Sequence, residues 1–81
     1  MNVEQFIRRF AEQFDETPTH DFTVDTRFKE NDEWSSMTAL SLIAMVDESY
    51  SVRLTGDDIR QSSTIKDIYD IVSAKIPNQQ A

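Results

Sequence analysis

Cysteine is absent from this 81-residue chain, so disulfides and thiolate metal sites within it are excluded. A single glycine, Gly56, leaves no glycine-rich phosphate loop. Histidine also occurs once, and His20 has no nucleophile and orienting acid at a recognisable spacing, which makes it a solvated loop histidine. No apolar run approaches membrane-spanning length, and the opening MNVEQFIRRF lacks the long apolar core of a signal peptide. A cytoplasmic protein without membrane insertion is therefore expected. Bases are scarce: eight Lys and Arg face fifteen Asp and Glu, a net charge of −7. Phosphate backbones need clustered bases, so nucleic acid is not an expected partner. With no catalytic set and no metal-ligand motif, an enzyme is not expected either.

What the chain does have is helical spacing. Val3, Phe6, Ile7, Phe10 and Phe14 recur at intervals of three and four, one stripe of an amphipathic helix over 3–14, with Asn2 as N-cap and Gln5 in the capping-box position. Arg8, Arg9, Glu12 and Gln13 fall on its wet side. Thr17-Pro18 ends the pattern, because proline disfavours helical geometry in the residue before it. From Asp15 to Glu33 a long loop is expected, anchored in the core by Phe22, Val24 and Phe28, with Trp34 as a packing or partner-gripping residue at its close. A second helix runs from about Ser36 to Tyr50, with Ala39, Leu42, Ile43, Val46 and Tyr50 facing inward. Thr55 can cap a short turn from Asp57 to Gln61. The last helix starts at Ser63-Thr64 and carries Ile65, Ile68, Ile71 and Val72, with Tyr69 at the edge. The expectation is an all-α, small four-helix bundle: three main helices, a short third one, and a long loop between helices 1 and 2. Residues 1–76 form the domain and 77–81 a disordered C-terminal tail. One small acidic domain of this kind is expected to be monomeric.

Charge is unevenly placed. Residues 30–59 hold seven acids, Glu30, Asp32, Glu33, Asp47, Glu48, Asp57 and Asp58, against Arg53 alone. Such a field speeds the approach of basic partners. Within it, the second helix has another face, formed by Met37, Leu40, Ser41, Ala44 and Glu48, which is half apolar and rimmed by charge. A helix needs only one buried stripe, so this face is either extra core or a docking surface. At the start of the same helix stand two serines. One is enough for an N-cap, whose oxygen accepts a free first-turn amide. The other keeps its hydroxyl, in a place where the helix dipole favours an attached anion such as a phosphate ester.

These residues resemble the acyl carrier protein family over Phe28 to Val72. In that family a small four-helix bundle presents a serine, within an Asp-Ser-Leu motif, at the start of the second helix. Ser36 matches that serine and Met37 the following leucine. Phe28 matches an apolar loop residue, and Leu42, Val46 and Tyr50 match core positions. Leu54, Asp57 and Asp58 resemble the Ile-Pro-acidic approach to the third helix, and Thr64-Ile65 to Ile71-Val72 the last helix. The chain departs from the pattern where Ser35 replaces the motif aspartate. Trp34, Glu33 and Asp32 replace small and apolar residues, Ser41 an acid, and Thr55 a proline. A divergent, specialised member is the reading this mixture suggests.

The resemblance implies that a phosphopantetheinyl transferase attaches 4′-phosphopantetheine to Ser36, with Ser35 as rival or N-cap. It further implies that acyl groups ride as thioesters on the added thiol, a group this cysteine-free chain lacks. Partners would be acyl-loading and acyl-processing enzymes with basic docking patches, meeting Met37, Leu40, Ala44, Asp47 and Glu48. Fatty acyl, aminoacyl and polyketide cargoes are all compatible with it. The alternative is an unmodified helical interaction module that uses the same acidic second helix.

Overall fold

The computed structural model describes residues 2–76, and the tail expected at 77–81 lies outside the described residues. Four α-helices follow one another: α1 (Val3–Ala11), α2 (Ser36–Tyr50), α3 (Gly56–Arg60) and α4 (Ile65–Lys75). Among the described residues there is no strand, and no helix is long and apolar enough to cross a membrane. Helix α1 packs against α2 and α4, and α3 packs against α4.

Each helix begins where a side chain satisfies its first free amides. Asn2 Oδ1 accepts the Gln5 N–H at 2.9 Å. Thr55 and Asp58 form a capping box at α3, with bonds of 3.0 and 3.1 Å. Thr64 and Asp67 repeat it at α4, where the Asp67 carboxylate also accepts the Ser63 N–H at 2.8 Å. These bonds, the Ser63 and Thr64 amides first, hold the Asp67 carboxyl below its ordinary range. Asp58 is lowered too, first by the Lys75 ammonium. Lys75 Nζ also donates to the Arg53 carbonyl at 2.9 Å and so ties the end of α4 to the segment before α3.

The expected helix over 3–14 is shorter than its stripe. The α-helix closes at Ala11, and the chain then tightens, with Gln13 N–H donating to Phe10 O and Phe14 N–H to Ala11 O. This i→i−3 winding still delivers Phe14 to the core, which is why the hydrophobic period outruns the helix. Arg9 is a second correction. It is half-buried at the α1–α2 contact, not on the wet side, and its Nη1 reaches Ser49 Oγ at 3.4 Å. Its Nε and the nearby Tyr50 hydroxyl are buried without hydrogen-bond partners among the described residues. Burial pushes the Tyr50 phenol above its ordinary value, with the Arg9 charge opposing the shift.

Residues 12–35 pass from α1 to α2 with two single 3-10 turns, Thr19–Asp21 and Phe28–Glu30. Aromatic rings hold this passage in place. Phe14 meets Phe22 at 5.0 Å between centroids, and Phe28 stands edge-on to both Phe10 (5.2 Å) and Trp34 (4.9 Å). Edge-on pairs of this kind add about 0.5–1.5 kcal/mol beyond their buried area. Backbone bonds add a second attachment: Lys66 N–H donates to Val24 O (2.9 Å) and Ile65 N–H to Thr26 O (3.1 Å), so the passage satisfies first-turn amides of α4. Phe6, Phe10, Phe28, Leu42, Val46, Leu54, Ile65, Ile68 and Val72 are buried beneath.

Candidate functional site

The start of α2 separates the two serines. Ser35 lies in extended backbone before the first turn, and its Oγ accepts the Thr38 N–H at 3.3 Å. Thr38 Oγ1 is 3.2 Å from the same oxygen and donates to the Glu33 carbonyl at 2.7 Å. Ser35 is thus the N-cap. Ser36 is the first residue of the helix and is exposed, and its hydroxyl makes no hydrogen bond among the described residues. An unengaged hydroxyl beside the positive end of a helix of four turns suits attachment of an anion.

A small polar network fixes the chain just before the serines. The Glu33 carboxylate accepts the Glu16 N–H at 3.0 Å and the Thr17 hydroxyl. Asn31 Nδ2 donates to Thr17 Oγ1 at 3.0 Å, and Asn31 Oδ1 accepts the Glu33 N–H at 2.7 Å. The Thr17 hydroxyl, and then the Glu16 amide, hold the Glu33 carboxyl below its ordinary value. The passage after α1, at Glu16 and Thr17, is therefore linked through Glu33 and Thr38 to the cap of α2. The Asn31 bond to the amide two residues on is an Asx turn, a local signal readable in sequence. The Thr17–Glu33 bond spans too many residues to be read that way.

Along α2, Met37 is 75% and Leu40 63% exposed. Ser41, Ala44, Asp47 and Glu48 are exposed with them. The second apolar face is solvent-facing and not extra core; the inward side takes Leu42, Met45 and Val46, and Met45 is a core residue that the stripe assignment missed. Asp32, Asp47 and Glu48 form no ion pair among the described residues. His20 is exposed in the first 3-10 turn, with Asp21 Oδ1 at 3.4 Å.

Beside Ser36 a surface groove of about 500 Å³ runs between α2 and α3. Ala39, Leu40, Ile43 and Ile59 make its apolar lining, Trp34 stands at the serine end, and Lys29 and Arg60 face it from the side. Trp34 stacks on Phe14 and meets Phe28 edge-on, so it serves as packing while also forming groove wall. A smaller hollow of about 220 Å³ continues past Leu40 and Ile43 to Asp47 and Arg53. The presence of Lys29 and Arg60 at the serine's groove was not legible in sequence, because it depends on a contact between segments 31 residues apart.

The fold and site define a small all-helical domain with an open helix-terminal serine above an apolar groove. Comparison with protein-family models, with curated proteins and with solved structures yields no match.

Proposed function

We propose that this chain is a carrier protein of the acyl carrier type, a divergent and specialised one, that bears 4′-phosphopantetheine on Ser36. The observation that carries the reading is the division of the serine pair: Ser35 is engaged as the cap, and Ser36 offers an exposed hydroxyl, unbonded among the described residues, at the groove. The residues present fit the group, with a helix terminus and two nearby cations toward a phosphodiester and an apolar groove toward a chain. In loading, Ser36 Oγ forms the ester bond to phosphorus and its proton passes to the transferase. The diphosphate bond of coenzyme A breaks, and adenosine bisphosphate leaves with the electron pair. The attached group supplies a terminal thiol on which an acyl-type intermediate is held as a thioester.

The chain itself contributes presentation and not catalysis. Met37, Leu40 and Ala44 give partner enzymes an apolar contact, while Asp47 and Glu48 draw in their basic patches. The transferase and the acyl-loading and acyl-processing enzymes of a cytoplasmic biosynthetic pathway are the partners of this reading, met by a monomer. Incubation with coenzyme A and a phosphopantetheinyl transferase, read by intact mass, tests it: a gain of one phosphopantetheine is expected, absent in Ser36→Ala. The exposed Met37–Leu40 face also fits an unmodified interaction module, and no gain with transferases of several types would favour that second reading.

A further inference from the structure

Lys29 and Arg60 flank the acidic stretch 30–59 in sequence, and the fold brings them together. Lys29 Nζ donates to the Arg60 carbonyl at 3.1 Å, and both side chains are exposed on the groove that Ser36 borders. In a chain of net charge −7, this groove is lined by two cations and by no acid. Asp57 pairs with Arg60 from outside the lining, and an exposed pair of that kind is weak enough to yield to a second anion.

Gly56 adds an independent observation. It is not in the left-handed region, so the backbone there does not require glycine, and alanine would favour the first turn of α3 more strongly. Apart from its chain neighbours and its own helix backbone, the described atom that a Cβ at this position would meet is in the Arg60 guanidinium, at 4.0 Å. The missing methyl leaves space in the groove itself, next to Arg60.

We infer that Lys29 and Arg60 are the anion contact for the phosphodiester of the group carried on Ser36, and that Gly56 keeps open the space where the first segment of that group lies. This rests on the carrier reading. A guanidinium presents paired donors to phosphate oxygens and an ammonium adds a compact charge, so the two together both attract and orient the group. The carried arm is thereby laid across α3 instead of standing free in solvent.

The test uses the full chain, isotopically labelled, before and after loading from coenzyme A. Loading is expected to shift the amide resonances of Lys29, Gly56 and Arg60 and the Arg60 Nε–H. The phosphorus resonance should differ from that of a short phosphopantetheinyl-serine peptide. Lys29→Gln with Arg60→Gln should return the phosphorus resonance to the peptide position, and Lys29→Arg with Arg60→Lys should retain the displacement. About 1 M salt, where screening acts within about 3 Å, should also reduce it. If the paired Gln variant does not fold, Arg60→Gln alone, at a side chain 75% exposed, should give the same movement at smaller size. A loaded chain whose Lys29, Gly56 and Arg60 signals stay put, with phosphorus already at the peptide position, overturns this assignment and leaves the carrier reading standing. A chain that gains no mass overturns both.

Discussion

Replacing Ser35 and Ser36 by alanine, one at a time, should produce opposite effects. Ser35 Oγ accepts the Thr38 amide, so Ser35→Ala leaves a first-turn donor without its partner. Loss of an N-cap costs about 0.5–2 kcal/mol. The bond here is long, at 3.3 Å, and Thr38 Oγ1 keeps its bond to the Glu33 carbonyl. The lower half of that range applies, about 0.5–1 kcal/mol. For a domain of this size each kcal/mol moves the melting temperature by about 4–8 °C, so a fall of about 2–8 °C is expected. Ser36→Ala removes a hydroxyl that bonds to none of the described residues, at an exposed position where alanine favours the helix. Its stability should stay within about 0.5 kcal/mol of wild type, or rise. Thermal unfolding followed by circular dichroism, with urea titration as a second measure, reads both. Equal destabilisation by the two substitutions, or a larger loss in Ser36→Ala, would refute the assignment of cap and open hydroxyl.

Other consequences are as direct. Glu33, Asp58 and Asp67 have folded-state pKa values below their ordinary ones, so their stabilisation is complete above the ordinary carboxylate pKa of about 4 and is lost as pH falls through the lowered values. The melting temperature should therefore drop below about pH 4, and Asp58→Asn with Asp67→Asn should flatten that drop; an unchanged slope would contradict it. Ser51 ends α2 in the left-handed region at φ 56°, where glycine carries no Cβ penalty, so Ser51→Gly should stabilise the fold by about 0.5–1 kcal/mol in urea unfolding. Asp47→Lys with Glu48→Lys should leave melting nearly unchanged. Under the carrier reading, it should also slow association with the transferase and abolish its salt sensitivity, as read by stopped-flow kinetics.

Much of this arrangement is readable from local pattern. Phe6 with Phe10, and Ile65 with Ile68 and Val72, place two inward faces by spacing alone, and Asn2, Thr55 and Thr64 cap where their residue types predict. The end of α1 was not readable, because 3-10 closure continues the same apolar period as far as Phe14. Met45 escaped the stripe of α2 because that helix is apolar on more than one side, and only its neighbours decide which residues go inward. The double serine was ambiguous in one dimension, since either oxygen can cap. It separates once the backbone assigns Ser35 to extended geometry and Ser36 to the helix. Lys29 beside Arg60 and Thr17 beside Glu33 are long-range contacts without periodic signal, and they shape the surroundings of Ser36 most.

The carrier reading depends most directly on where an added group sits. Fragmentation of the full chain after incubation with coenzyme A and phosphopantetheinyl transferases of several types, cleaving between Ser35 and Ser36, locates the added mass to one residue. The whole of one phosphopantetheine is expected on Ser36, in wild type and in Ser35→Ala alike. No added mass with any of the transferases, or added mass on Ser35, would contradict it.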